Sequence, residues 1–187
     1  MVLHIKNMVC DRCILVVRQQ LESLGFAVTD IDLGSATVQP EPDAAALAAI
    51  ASALKVLGFE LIDNEKDKLV ERIKNLIIEK VHHSDLAEQQ VNFSAYLADH
   101  LHKDYGQLSR QFSDSEDTTI EKFIIQQKIE KVKELLEYGE LNLNEIAWKM
   151  GYSSSAHLSA QFKAVTGLTP SQFKSNGKGR RKALDKI

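Results

Sequence analysis

No run of eighteen apolar residues occurs in this 187-residue chain, and its opening stretch, MVLHIKNMVC, intersperses charge among the apolar positions. Neither a membrane-spanning helix nor a secretory h-region fits such a pattern, so a cytoplasmic protein with no membrane partner is expected. Cysteine is scarce. Cys10 and Cys13 are the two present, and with two residues between them they are too close together to staple a fold. A reducing compartment keeps them as thiols, and they read as a site. A strong positive charge is missing as well: the net charge of -3 argues against coating nucleic acid by bulk charge.

What is present is ordinary for a globular protein, with 44% apolar and 26% charged residues. The charge is unevenly distributed. Residues 1–64 carry four basic residues against eight acidic ones, whereas the last fourteen residues hold Lys174, Lys178, Arg180, Arg181, Lys182 and Lys186 against Asp185 alone. That basic tail suits phosphate contact, or else is a solvated, disordered end.

Along the chain, VLHIK, ILVVRQQLESLG, FAVTDIDL, SATVQ, the alanine-rich stretch from Asp43 to Leu57 and FELID alternate in the order βαββαβ. Gly25 and Gly58 each follow an apolar helical face and are expected to close the two helices. Leu15, Leu21, Leu24, Leu47, Ile50, Leu54 and Leu57 are expected to cover the sheet. A ferredoxin-like domain over residues 1–63 is the expected architecture, giving an α+β fold class with an all-α second part. From Asn64 the pattern turns charged and helical. A connecting helix is expected over 64–83, a loop around 84–91, and helical segments near 93–102, 105–113, 118–137, 143–150, 154–165 and 170–174. Strands are not evident there.

Two stretches of this second part share one anatomy, a short helix, a tight turn and a second helix with a central Leu and a Phe four residues later: FSAYLADHLHKDYGQLSRQF and LNEIAWKMGYSSSAHLSAQF. In the second, Ala147 lets the helices approach, Gly151 supplies the turn and Ser154 is the expected N-cap. Leu158 and Phe162 are expected to point inward, with Ser155, Ala156, Ser159, Ala160 and Lys163 outward. Small polar outward residues let a helix sit deep in a major groove. In the first, Leu108 and Phe112 point inward, while Gly106, Gln107, Ser109 and Arg110 point outward, Arg110 being the best candidate for guanine or phosphate contact. The intervening TTIEKFIIQQKIEKVKELLEYG is expected to be a helix that holds the two units at a fixed separation.

KIEKVKELL followed by LNEIAWKMGYSSSAHLSAQFKAVTGLTPSQFK resembles the C-terminal signature of the AraC/XylS family of bacterial transcription regulators, over roughly residues 67–176. The resemblance implies a double helix-turn-helix domain over residues 84–176, a basic tail over 177–187, and two recognition helices entering successive major grooves of double-stranded DNA. Ala160 stands where many members of that family carry an arginine, and SDSED, Ser113 to Asp117, replaces a turn that is often basic. The DNA-binding residues expected on this basis are Gln107, Ser109, Arg110, Ser154, Ser155, Ala156, Ser159 and Lys163. RNA polymerase and a second copy of the chain are the further partners expected.

Met8-Val9-Cys10-Asp11-Arg12-Cys13 falls where the first strand ends and the first helix begins. In its βαββαβ frame it resembles the heavy-metal-associated domain of copper chaperones and metal-pumping ATPases, over residues 2–63. The resemblance implies metal-binding thiolates at Cys10 and Cys13 and a Met8 that tucks beneath the loop. Physically, a helix N-terminus and the nearby Arg12 favour thiolates. Two sulfurs suit Cu(I) or another soft ion, while Zn(II) wants four ligands. His4 reads as structural, and His82-His83 as surface or domain-contact residues, since adjacent helical side chains diverge by about 100°. A metal pair, a thiol-disulfide switch and a plain fold element all remain open for the cysteines. The expected function is a non-enzymatic, sequence-specific regulator responsive to a soft metal or to thiol redox state. The rival is a thiol-disulfide or metal-delivery protein with a helical docking module.

Overall fold

The computed structural model describes residues 1–84, 86, 92–176 and 181–187. The loop expected around 84–91 lies largely outside the described residues, as do Lys178 and Arg180 of the expected tail. The chain forms two compact units, Met1–Asn75 and Leu76–Ile187. No helix among the described residues is long and apolar enough to cross a membrane.

The first unit runs β1 (Val2–Lys6), α1 (Asp11–Ser23), β2 (Ala27–Asp32), β3 (Ser35–Gln39), α2 (Ala44–Val56) and β4 (Glu60–Ile62). Its strands form one antiparallel sheet in the order β2-β3-β1-β4. Alternation along β1 sends Leu3 and Ile5 inward, where they join Val38 of β3, Val17 and Leu21 of α1, and Ile50 and Leu54 of α2 in one core. Asp43 caps α2 by accepting from the Ala46 amide at 2.8 Å. Three of the leucines expected to cover the sheet do not: Leu15 is 54% exposed, Leu24 37% and Leu57 42%. Leu15 stands two residues from the buried Val17, about 200° around the helix, and Leu24 and Leu57 are C-cap residues where the helical register ends.

Gly34 turns β2 into β3 at φ +90°, and a Cβ there would lie 2.2 Å from Asn75 Nδ2. That amide donates to the Leu33 carbonyl at 3.1 Å, so the turn has no room for a side chain. Asn75 lies on α3 (Glu65–His82), the helix within which the boundary between the two units falls.

The described part of the second unit is helical. It comprises α4 (Phe93–Leu101), α5 (Tyr105–Ser115), α6 (Ile120–Tyr138), α7 (Leu143–Lys149), α8 (Ser155–Thr166), α9 (Pro170–Ser175) and a single 3-10 turn at Leu184–Lys186. α6 is central. It buries Ile120, Phe123, Ile129, Val132 and Leu136 and, unusually, the polar Gln127, Glu130 and Lys133. Lys133 Nζ donates to Glu130 Oε1 at 2.5 Å, and the other oxygen of Glu130 accepts from the Lys182 amide at 3.0 Å. Arg181 pairs with Glu134 at 2.9 Å and Glu137 at 3.9 Å, and Gln127 Nε2 donates to the Leu184 carbonyl at 3.5 Å. Residues 181–184 therefore lie along α6, where carboxylates engage Arg181 and the stretch is not the free end that was one expectation for it.

Candidate functional site

The helical unit contains one design twice, at an offset of fifty residues. Asn92 and Asn142 cap α4 and α7, each side-chain oxygen accepting from the amides two and three residues on. Asp104 and Ser154 cap α5 and α8, accepting from Gln107 N at 3.2 Å and His157 N at 3.1 Å. Leu108 and Phe112 are buried in α5, as Leu158 and Phe162 are in α8. Thr119 and Thr169 then cap α6 and α9, each accepting at 3.2 Å from the amide three residues on. Position by position, burial along residues 105–120 repeats along residues 155–170. Leu and Phe at i and i+4 anchor each second helix on its buried side, which leaves its other side facing out.

The connection between helices differs between the copies. The first pair turns through His102 at φ +51°, the second through Gly151 at φ +69°. Around Gly151, Lys128 of α6 donates to the Met150 carbonyl at 3.1 Å and lies 5.3 Å from the centre of the Tyr152 ring and 5.8 Å from that of Phe93. Burial lowers the pKa of that ammonium from its usual value. Tyr152 donates its hydroxyl to Gln161 Oε1 at 2.6 Å, and burial raises its pKa. Gln111, fifty residues before Gln161, has a buried Oε1 with no hydrogen-bond partner among the described residues.

Of the DNA-binding residues expected from sequence, Gln107, Arg110, Ser154, Ala156 and Lys163 are exposed. Ser109, Ser155 and Ser159 are half-buried, a correction to the outward placement expected of them. Ser109 and Ser159 each stand one residue, about 100°, from a buried leucine, and so lie at the margin of the face. Ser159 also returns its hydroxyl to the Ser155 carbonyl at 2.8 Å. Arg110 lies along its own helix, Nε donating to the Gly106 carbonyl at 3.2 Å. The same outer face carries His157, absent from the residues expected from sequence, although the fifty-residue register pairs it with Gln107.

In the first unit, Cys10 is the N-cap residue of α1 and lies with Cys13 at the mouth of a loop, both partly exposed, their Sγ atoms 3.5 Å apart. Asn7, at φ +71°, begins that loop. Its amide donates to Glu71 of α3 at 3.0 Å and its side chain to the Gly58 carbonyl at 2.9 Å. Met8 is fully buried in the core beneath. Burial works against the Cys10 thiolate, but hydrogen bonds from the Cys13 backbone and thiol and from the Arg12 amide, with the Arg12 charge, outweigh it and lower its pKa. For Cys13, burial and the neighbouring Cys10 prevail and raise it. His4 is lowered by burial and by Lys68, opposed by Glu65, and so faces cations of α3. Among the described residues, no group of three or more His, Cys, Asp or Glu side chains could hold a metal ion. Two sulfurs are what this loop offers, a donor set suited to a soft monovalent ion.

His82, expected with His83 at the surface or a domain contact, is half-buried in the helical unit, with Nε2 2.8 Å from Gln127 Oε1, while His83 is exposed. Burial lowers the pKa of His82 to about 4.

Residues 97–176 match the family model of a helix-turn-helix domain. Over 80 residues, 43% of this chain, the sequence is 31% identical to the xylose operon regulatory protein of Haemophilus influenzae; the chain spans 21% of that protein's length. The solved C-terminal domain of AraT, a response regulator from Geobacillus stearothermophilus, is similar with a TM-score of 0.52 and 24% sequence identity, covering 60% of this chain and 88% of that one. That likeness is one of fold.

Proposed function

We propose that the chain is a bacterial transcription regulator of AraC/XylS type, in which residues 84–176 bind double-stranded DNA and residues 1–63 form a ferredoxin-like, heavy-metal-associated-type sensor. The observation that carries the DNA reading is the duplicated helix pair, repeated at fifty residues with matching caps and matching buried Leu and Phe, most of it within the stretch 97–176 that matches a helix-turn-helix model. Each second helix offers one exposed face, the minimum a major-groove reader needs. Gln107, Arg110, Ser154, Ala156 and Lys163 are the exposed DNA-facing candidates, with Ser109, Ser155 and Ser159 at the margin. RNA polymerase and a second copy of the chain are the further partners this reading calls for, in the cytoplasm.

The ferredoxin-like assignment is supported by the βαββαβ order and the β2-β3-β1-β4 sheet. Cys10 and Cys13 are the residues to hold Cu(I), which supplies a charge and a constraint at the loop when bound. The closeness of the two partly exposed sulfurs, 3.5 Å apart, favours a second use of the pair as a thiol-disulfide switch. The loop is tied through Asn7 to Glu71 of α3, which gives the site a hold on that helix.

Selection of bound sequences from a pool of random duplex DNA tests the reading. The expected outcome is a site of two short boxes about 10 base pairs apart, centre to centre. Arg110→Ala is expected to weaken binding by about 1–3 kcal/mol if it reads a base, or to lower the salt slope by about one if it holds a phosphate. Enrichment of no sequence at all, with binding equal on every duplex, overturns the proposal.

A further inference from the structure

The outermost line of α8 is Ala156, Ala160 and Ala164, four residues apart and all exposed. None of these side chains can hydrogen-bond a base edge. Ser154 accepts from the His157 amide as the helix cap, and Ser159 turns its hydroxyl into its own helix. In α5 the equivalent line is Gly106, Arg110 and Asp114, so the first copy has an arginine where the second has Ala160. In the first turn of α8, the exposed side chain able to hydrogen-bond outward is His157.

That imidazole is held. Ser153 Oγ lies 3.1 Å from Nδ1, and the ring stands edge-on to Tyr152, with centroids 5.4 Å apart and an interplanar angle of 87°. Tyr152 is itself fixed by Gln161 at 2.6 Å and by the Lys128 ammonium beside its ring. With Nδ1 engaged, Nε2 is the ring nitrogen left to meet a ligand. A side chain whose rotamer is already set loses little freedom on binding.

Resting on the DNA reading proposed above, we infer that His157 is a specificity-determining residue of α8, presenting Nε2–H to the N7 and O6 edge of a guanine in the box that helix reads. When the Ser153 hydroxyl donates to Nδ1, the ring proton sits on Nε2 and the outward nitrogen is a donor. Guanine is the base with two major-groove acceptors and no donor beside them. Ala156 and Ala160 let the helix approach closely enough for this short side chain to reach. The duplicated domain thus reads its two boxes by different means, a guanidinium in α5 and an oriented imidazole in α8.

The full chain and its His157→Ala and His157→Gln variants, each checked for an unchanged melting temperature, are used to select from the same random duplex pool. The unsubstituted protein is expected to enrich two boxes. His157→Ala should enrich the same boxes without the preference for guanine at one position of one box, and bind the original site about 2- to 12-fold more weakly. Replacing that guanine should weaken the unsubstituted protein and leave His157→Ala unaffected. His157→Gln should move the preference at that position toward adenine, whose N6 and N7 suit an amide. Two boxes that stay the same base for base in both variants overturn the role of His157 while the domain's DNA reading stands. A pool from which the unsubstituted protein enriches nothing overturns both.

Discussion

The ring of Phe162 meets that of Phe173 edge-on with centroids 5.5 Å apart, and fifty residues earlier Phe112 and Phe123 form a tilted pair at 5.7 Å. In each copy the second helix of the pair is pinned to the helix that follows it. The Thr119 and Thr169 caps fix where those following helices begin, so the pair geometry is set from both ends. Phe162→Ala is expected to cost about 3–5 kcal/mol, as is typical of a fully buried phenylalanine. Denaturant unfolding of Phe162→Ala and of its counterpart Phe112→Ala checks it, and a cost below about 1 kcal/mol at either position contradicts the anchoring role.

The two glutamines of the repeat should respond in opposite ways. Gln161→Met leaves the buried Tyr152 hydroxyl without its acceptor and is expected to destabilise by about 1–3 kcal/mol. Gln111→Met removes a buried oxygen that has no partner among the described residues, and is expected to be neutral or stabilising. Equal losses at both positions would show that the first copy satisfies Gln111 after all.

Acid should weaken the helical unit through His82. Folding holds this imidazole neutral with a pKa of about 4, below the ordinary 6.5, so the unfolded chain binds the proton more readily. Stability from this group is complete above pH 6.5 and is lost as pH falls toward 4, by about 3 kcal/mol in all. Comparing melting curves of the unsubstituted protein and His82→Gln across that window isolates the contribution. The variant should lose less stability between pH 6.5 and 4; parallel losses would place the sensitivity elsewhere.

Reduced protein is expected to take up one Cu(I) per chain, with uptake abolished by Cys10→Ser or Cys13→Ser and the fold retained. Anaerobic titration against a copper-binding dye measures this. Uptake that survives both substitutions puts the ion at another site.

If the thiol loop acts on DNA affinity through α3, Glu71 is the residue that links them in the first unit. A coupling of about 1–3 kcal/mol appears as a 5- to 150-fold difference in DNA affinity between metal-loaded and metal-free protein. Glu71→Ala should shrink that difference while leaving copper uptake intact. A difference unchanged in the variant removes Glu71 from the route.

The helix pairs were legible because Leu and Phe four residues apart mark the buried side of each second helix, and Ser154 marks the start of the second copy's. The sheet was legible from β1, where alternation puts Leu3 and Ile5 on one side. The polar interior of α6 was not. Gln127, Glu130 and Lys133 carry no mark of burial in the sequence, and what buries them includes residues 181–184, about fifty positions away, whose approach no local pattern signals. His82 was obscured for the same reason, since its partner Gln127 is distant in sequence. Helical phase also misled at Ser109, Ser155 and Ser159, because a binary division into inward and outward has no place for the margin between them.

A repeat whose two copies share an interior but not an exterior has a heading. On the proposed reading, Arg110 meets one end of the DNA site and the alanine line of α8 meets the other, so turning the same sequence around presents each helix with the wrong box. The complex is then an arrow along the duplex, and the strand on which the site is written decides which way the helical unit points relative to the gene.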